Sequence, residues 1–209
     1  MASIRLTRLS LIVAASLLSA TLLHAALPTP GEKPARASLA GELLIAAPVM
    51  TDPRFHQAVV LIAKHDHNGA LGIVINRPLG ERSLALLLKA MGEEAQAVTG
   101  SVRIFAGGPV QPEIGFVVHS ADYRRAETLD IDGRVAMTSS REILRDIGNK
   151  QGPRKSLIAF GYAGWAPGQL EAELGQGVWF TAPEDPGLVF DLDRDKVWDD
   201  AMKRRTQDL

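Results

Sequence analysis

Cysteine is absent from the 209 residues, which excludes disulfides, thiolate nucleophiles, iron–sulfur clusters and cysteine zinc sites together. Aromatic residues make up only 5% of the chain, too few for the repeated stacking platforms that hold single-stranded nucleic acid. Neither sign of charge prevails: 23 Lys and Arg stand against 24 Asp and Glu, a formal charge of −1. The long-range attraction for polyphosphate that marks a nucleic-acid binder is therefore not expected. Acids are also missing locally, with none among residues 1–31. What is present, 46% hydrophobic and 22% charged residues with 19 Gly and 12 Pro, is an ordinary globular composition. The length suits one domain with an appendage.

The acid-free start reads as an address. Arg5 and Arg8 precede fifteen uncharged residues, Leu9 to Leu23, followed by the small Ala25 and Ala26, which is the layout of a secretory signal cleaved after residue 25. The apolar run is shorter than the roughly 20 residues of a spanning helix, and Ser10, Ser16, Ser19 and Thr21 dilute it. A membrane anchor at residues 9–23 is the alternative. Cleavage removes two arginines and no acid, taking the charge from −1 to about −3. Residues 26–40, with Pro28, Pro30 and Pro34, read as a linker. The expected location is periplasmic or secreted, without a stable membrane anchor after cleavage.

From Gly41 to Leu209 a single domain is expected, in which short apolar runs alternate with turn signals. Ala58 to Ala63 is apolar at every position, which suits a strand covered on both faces. Asp66-His67-Asn68-Gly69 supplies turn chemistry, and Leu71 to Ile75 returns as the hairpin partner. Further strands are expected at 43–46, 102–106, 114–119, 133–137, 156–160, 178–181 and 187–190. Helices are expected after Ser83, after the Ser139–Glu142 capping pattern, after Pro167, and from Asp193 or Asp195 onward.

Two glycine-bearing segments carry the chemistry best. Gly107-Gly108-Pro109 follows a strand and can bare backbone N–H groups to an anion or a carbonyl. Gly161-Tyr162-Ala163-Gly164-Trp165 lies between an expected strand and an expected helix start, where a partner's backbone can approach beside two aromatics. A strand-ending turn at 107–109 and core packing at 161–165 are the plainer explanations of the same residues. His65 and Asn76 border the hairpin and join the candidate binding set. His65 and His67 straddle a turn and lack further ligands, so no metal site is expected. His119-Ser120 belongs to no nucleophile elbow, and Glu171 and Glu173 read as solvated acids. No catalytic residue is assigned, and a hydrolase built on His65 or His119 is the alternative to a binding function.

Thr51-Asp52-Pro53-Arg54-Phe55 leading into AVVLIAKH, then GALGIVINRPLG at 69–80, FAGGPV at 105–110 and GYAGWAPGQLEAEL at 161–174 resemble the YqgE/AlgH family, over Gly41 to about Trp198. The resemblance implies an α+β fold with a mixed, split β-sheet curled into a pseudo-barrel and a few flanking helices. It implies neither a reaction nor a cofactor. With the leader, it suggests a noncatalytic binding or regulatory module of the cell envelope. The partner would be a protein or a small-molecule ligand, with no nucleic acid expected. Family members are generally intracellular, so the leader is a departure. A transcription-related regulator is the reading that follows if the leader is misread.

Overall fold

The computed structural model describes residues 38–93 and 98–206. The expected leader and all of the linker before residue 38 lie outside the described residues. Strands β1 (Glu42–Ala46) and β2 (Val59–Asp66) show how the apolar runs become architecture. Val59 through Ile62 are fully buried, yet their side chains alternate between two different cores. Leu43, Ile45, Val59 and Leu61 enter one cluster, and Leu44, Val60 and Ile62 enter the other. Each such side chain contributes about 1.5–3 kcal/mol of burial, and a run without polar positions satisfies both faces of the sheet.

The turn at His67–Asn68 connects β2 to β3 (Gly69–Val74), and Asp66 Oδ1 accepts the Asn68 N–H at 2.7 Å. Next come β4 (Pro78–Ser83), helix α1 (Leu84–Ala90), β5 (Ser101–Ala106), β6 (Val110–Ser120), β7 (Thr128–Asp130) and β8 (Val135–Thr138). Helix α2 (Glu142–Gly148), β9 (Ser156–Trp165), α3 (Gln169–Gly175), β10 (Trp179–Pro183) and α4 (Val197–Lys203) complete the order. The sheet runs β10-β1-β2-β3-β9-β6-β8-β7, and β4 and β5 branch from β9. All pairings are antiparallel except β5 with β9. The fold is α+β, a curled sheet forming a half-barrel with a few helices.

Strand β9 is the fork. Along one edge it pairs with β6. Along the other it pairs first with β5, through Ile158–Phe160, and then with β3, through Ala163–Trp165. Gly161, at φ +74°, lies between the two partners. Expectation and structure differ here, because Gly161 to Trp165 belong to the strand and not to a loop after it. Large aromatics suit a strand, and glycines permit the close crossing.

Two strands escape the sequence pattern. β4 is exposed almost throughout and carries the polar sequence PLGERS, an edge that offers no alternation to read. β7 is only three residues long. Conversely, the strand expected at Gly187–Phe190 is a π-helical turn, Gly187–Asp191. Pro186 sets a helical φ, and Asp185 Oδ1 accepts the Gly187 N–H at 2.7 Å, which starts a helical turn in place of extension. Leu188 and Val189 remain buried in the core.

Candidate functional site

The two glycine segments pack against each other, and each is divided between the interior and a groove. Gly107 N–H donates to the Phe160 carbonyl at 2.7 Å, while the Gly107 carbonyl accepts from Val74 N–H at 2.8 Å. Gly107 is thereby wedged between the end of β3 and β9. A Cβ on Gly107 would lie 2.3 Å from the Gly161 oxygen, and one on Gly108 would lie 2.1 Å from the Tyr162 carbonyl carbon. A Cβ on Gly161 would in turn meet the Gly108 oxygen at 2.4 Å. What approaches these three glycines is their own chain's backbone. Tyr162 packs edge-on against Phe116 at 6.0 Å in the core that α4 covers.

Pro109, Gly164 and Trp165 are brought elsewhere, into a groove of about 340 Å³, a volume within the range of ligand sites. Its floor is a ladder of rings. Trp165 and Trp179 meet edge-on at 6.0 Å, and Phe55 meets Trp179 at 5.5 Å. Helix α3 fixes the ladder: Glu173 Oε2 accepts from both indoles, at 2.9 Å from Trp165 Nε1 and 2.8 Å from Trp179 Nε1. Glu173 Oε1 accepts from Gln169 Nε2 at 2.8 Å, and Gln169 Oε1 accepts the Ala166 N–H. At the rim, Asp52 and Arg54 form a forked ion pair, and the Arg54 guanidinium holds the Asp52 carboxyl below its ordinary value. Gly164 and Pro109 are exposed at the groove.

Glu171 and Glu173 are therefore not merely solvated acids, since both hold partners, although the Glu171 side chain stays 40% exposed. Two residues apart on α3, they diverge to different strands, Glu173 to the tryptophans and Glu171 to His65. His65 Nδ1 accepts the Leu39 N–H at 3.0 Å, which leaves the proton on Nε2 to be donated to Glu171 Oε1 at 2.8 Å. That imidazole is 8% exposed and ties β2 to α3 and to the start of the described chain. His119 is wholly buried. Its Nδ1–H donates to the Ser120 carbonyl and its Nε2 accepts from the Thr138 hydroxyl, each at 2.9 Å. Burial lowers its pKa. Both nitrogens of each ring are thus engaged within the chain. Asn76 bridges the ends of the loop before β2: its Oδ1 accepts the Val59 N–H and its Nδ2 donates to the Gln57 carbonyl. Gln57 itself holds φ +53°.

Of the nine candidate residues, then, three share the groove. Phe55, Trp179 and Glu173 also line it and were not among the candidates. A usable signal existed: an indole N–H that is buried needs an acceptor, and Glu173 is one of the two acids, with Glu171, between Trp165 and Trp179 in the chain.

The profile of the AlgH-like DUF179 family matches residues 43–209. The chain belongs to this family. Among AlgH-like relatives, a UPF0301 protein of Jannaschia sp. is 45% identical over 167 residues, 79% of this chain and 87% of its own length. A UPF0301 protein of Afipia carboxidovorans is 40% identical over 191 residues, 88% of this chain and 91% of its own. The solution structure of the AlgH protein from Pseudomonas aeruginosa superposes with a TM-score of 0.70 at 40% identity, covering 83% of this chain and 92% of that one. The crystal structure of a Corynebacterium diphtheriae protein gives 0.63 at 25% identity, over 80% and 87%. The AlgH-like assignment thus covers the fork, the ring ladder and helix α3 together.

Proposed function

We propose that this AlgH-like protein is a noncatalytic binding module of the cell envelope and that the ring-floored groove is its binding face. The observation that carries the reading is the groove itself, which unites exposed Pro109 and Gly164 with Trp165, Phe55 and Trp179 under a charged rim. Its acids are engaged by their own chain, Asp52 by Arg54 and Glu173 by two indoles. What such a site offers is shape and apolar surface flanked by hydrogen-bonding groups, which suits a protein segment or a small molecule with one flat apolar side. The leader at residues 1–25 supports the location and rests on sequence alone.

A Gly164→Val protein tests the groove. It is expected to fold normally and to lose partners captured from an envelope extract by the wild type, because the added side chain crowds the exposed main chain at the lip of the groove. A folded variant that keeps every partner overturns the assignment. Mass spectrometry of the mature N-terminus tests the location, and an intact Met1 in the soluble cytoplasm removes it. A hydrolase screen showing turnover that vanishes with His65→Ala or His119→Ala would replace binding with catalysis.

A further inference from the structure

A second cavity, of about 500 Å³, shares no residue with the groove. β5 contributes Val102, Arg103 and Phe105 to it, the start of β9 contributes Ser156 to Ile158, and the segment Val189–Arg194 closes it. That last segment includes the end of the π-helical turn, a local geometry found often at functional sites.

Its charges are arranged unusually. Arg194 is only 6% exposed, and its guanidinium is pinned by carbonyls: Nε donates to Leu192 at 2.8 Å, and Nη1 to Val189 at 2.9 Å and to Ile75 at 3.4 Å. No carboxylate among the described residues forms an ion pair with it. Arg103 is exposed on β5, and its side chain has no hydrogen bond or ion pair among the described residues. The two cations feel each other, since burial first and then the Arg103 charge pull the Arg194 pKa down. Two acids line the same walls, Asp191 and Asp193, and both act in the opposite sense on Arg194. Lys155 already holds Asp191 in an ion pair. Asp193 has no such cation among the described residues. Two guanidinium groups thus face one free carboxylate, an excess of a single positive charge, with one guanidinium fixed and the other free to close.

The geometry points to a binding site for a small monocarboxylate that also carries a hydroxyl or ammonium donor. Its carboxylate is taken by the Arg103 fork beside the fixed charge of Arg194, and its donor is accepted by Asp193. The same Asp193 repels polyanions, so multiply charged phosphates are disfavoured. Largely polar accessible walls, including the Ser156 hydroxyl and the main chain at 190–193, suit a hydrophilic molecule of this size.

The test is a titration of the 15N-labelled protein at low ionic strength with glycolate, glycine, acetate and pyrophosphate, read as saturable amide shifts. Glycolate or glycine is expected to shift Arg103, Ser156 and Asp193 and to bind more tightly than acetate or pyrophosphate. Arg103→Gln is expected to weaken that binding about tenfold, the scale of one lost charge-assisted pair. Arg82→Gln, the same charge removed from the β4 edge, is expected to leave it unchanged. Asp193→Ala, which removes both the acceptor and the charge, should bring glycolate and glycine down to the level of acetate and improve pyrophosphate. The assignment is overturned if none of the probes saturates, if the shifts map to the Trp165 groove, or if Arg82→Gln weakens binding as much as Arg103→Gln. An unchanged Arg103→Gln, whose exposed side chain is not needed for folding, overturns it equally.

Discussion

Gly161 and Gly164 are three residues apart on one strand, yet they serve opposite purposes. At Gly161 a missing side chain lets two stretches of backbone touch, and at Gly164 it leaves a stretch of backbone open at a groove. The comparison teaches that a glycine-rich motif does not announce a ligand. The same composition builds the interior of a forked sheet and the lip of a binding face, and only the neighbours decide which.

The strongest way to break the comparison is to fill both positions. Gly161→Ala places a Cβ 2.4 Å from a carbonyl oxygen at a φ of +74°, so overpacking and backbone strain add to a loss of about 4 kcal/mol. Urea denaturation should show this loss, and a stable alanine variant would mean that the fork is looser than described. Next comes the clamp on the groove floor. Glu173→Ala strands two indole N–H groups, at about 1–3 kcal/mol each, and is expected to lower stability by about 2–4 kcal/mol and to change the tryptophan fluorescence.

A different carboxylate sharpens the contrast between a satisfied acid and a crowded one. Glu184, just after β10, is 3% exposed. Arg134 Nη2 lies 2.8 Å from its Oε2, but neither carboxylate oxygen has a well-aligned hydrogen bond among the described residues. Burial, and then the facing Asp132 carboxyl, push its pKa from 4.5 up to about 7. The folded state therefore holds this proton more tightly than the unfolded chain, and stability falls as pH rises from about 4.5 to about 7, then levels. The expected loss is about 3 kcal/mol over that window. Glu184→Gln should flatten it; an unchanged pH profile in the variant would place the titration elsewhere. The smallest effect belongs to the open glycine. Gly164→Ala meets only the Tyr162 ring edge, at 3.2 Å, and is expected to shift stability by less than about 1 kcal/mol, measurable as a midpoint change in the same urea series.

Much of the fold was legible because local rules agreed with each other. The run from Ala58 to Ala63 and the Asp66–Gly69 turn are read from apolar content and turn residues alone, and both are found where expected. β4 was not legible, since an exposed edge strand has no alternation, and the π-helical turn at 187 hid because Leu188, Val189 and Phe190 carry strand propensity that the Asp185 cap overrides. The candidate site was legible only in part. Its tryptophan and glycine stood out by type. Glu173 lies six and eight residues from the two indoles it accepts from, a local signal, whereas Phe55 joins through its contact with the distant Trp179, and no spacing along the chain reports that.

The three-way junction at β9 has a consequence for how the chain acquires its structure. β1 pairs with β10 through Glu42 and Pro183, and β9 must find β3, β5 and β6, so these four pairings join segments far apart in the chain. Loop closure of that kind is slow. Until the last third of the polypeptide is available, β3 and β6 present unsatisfied edges, and this interval is when a nascent chain would most need a chaperone to shield it.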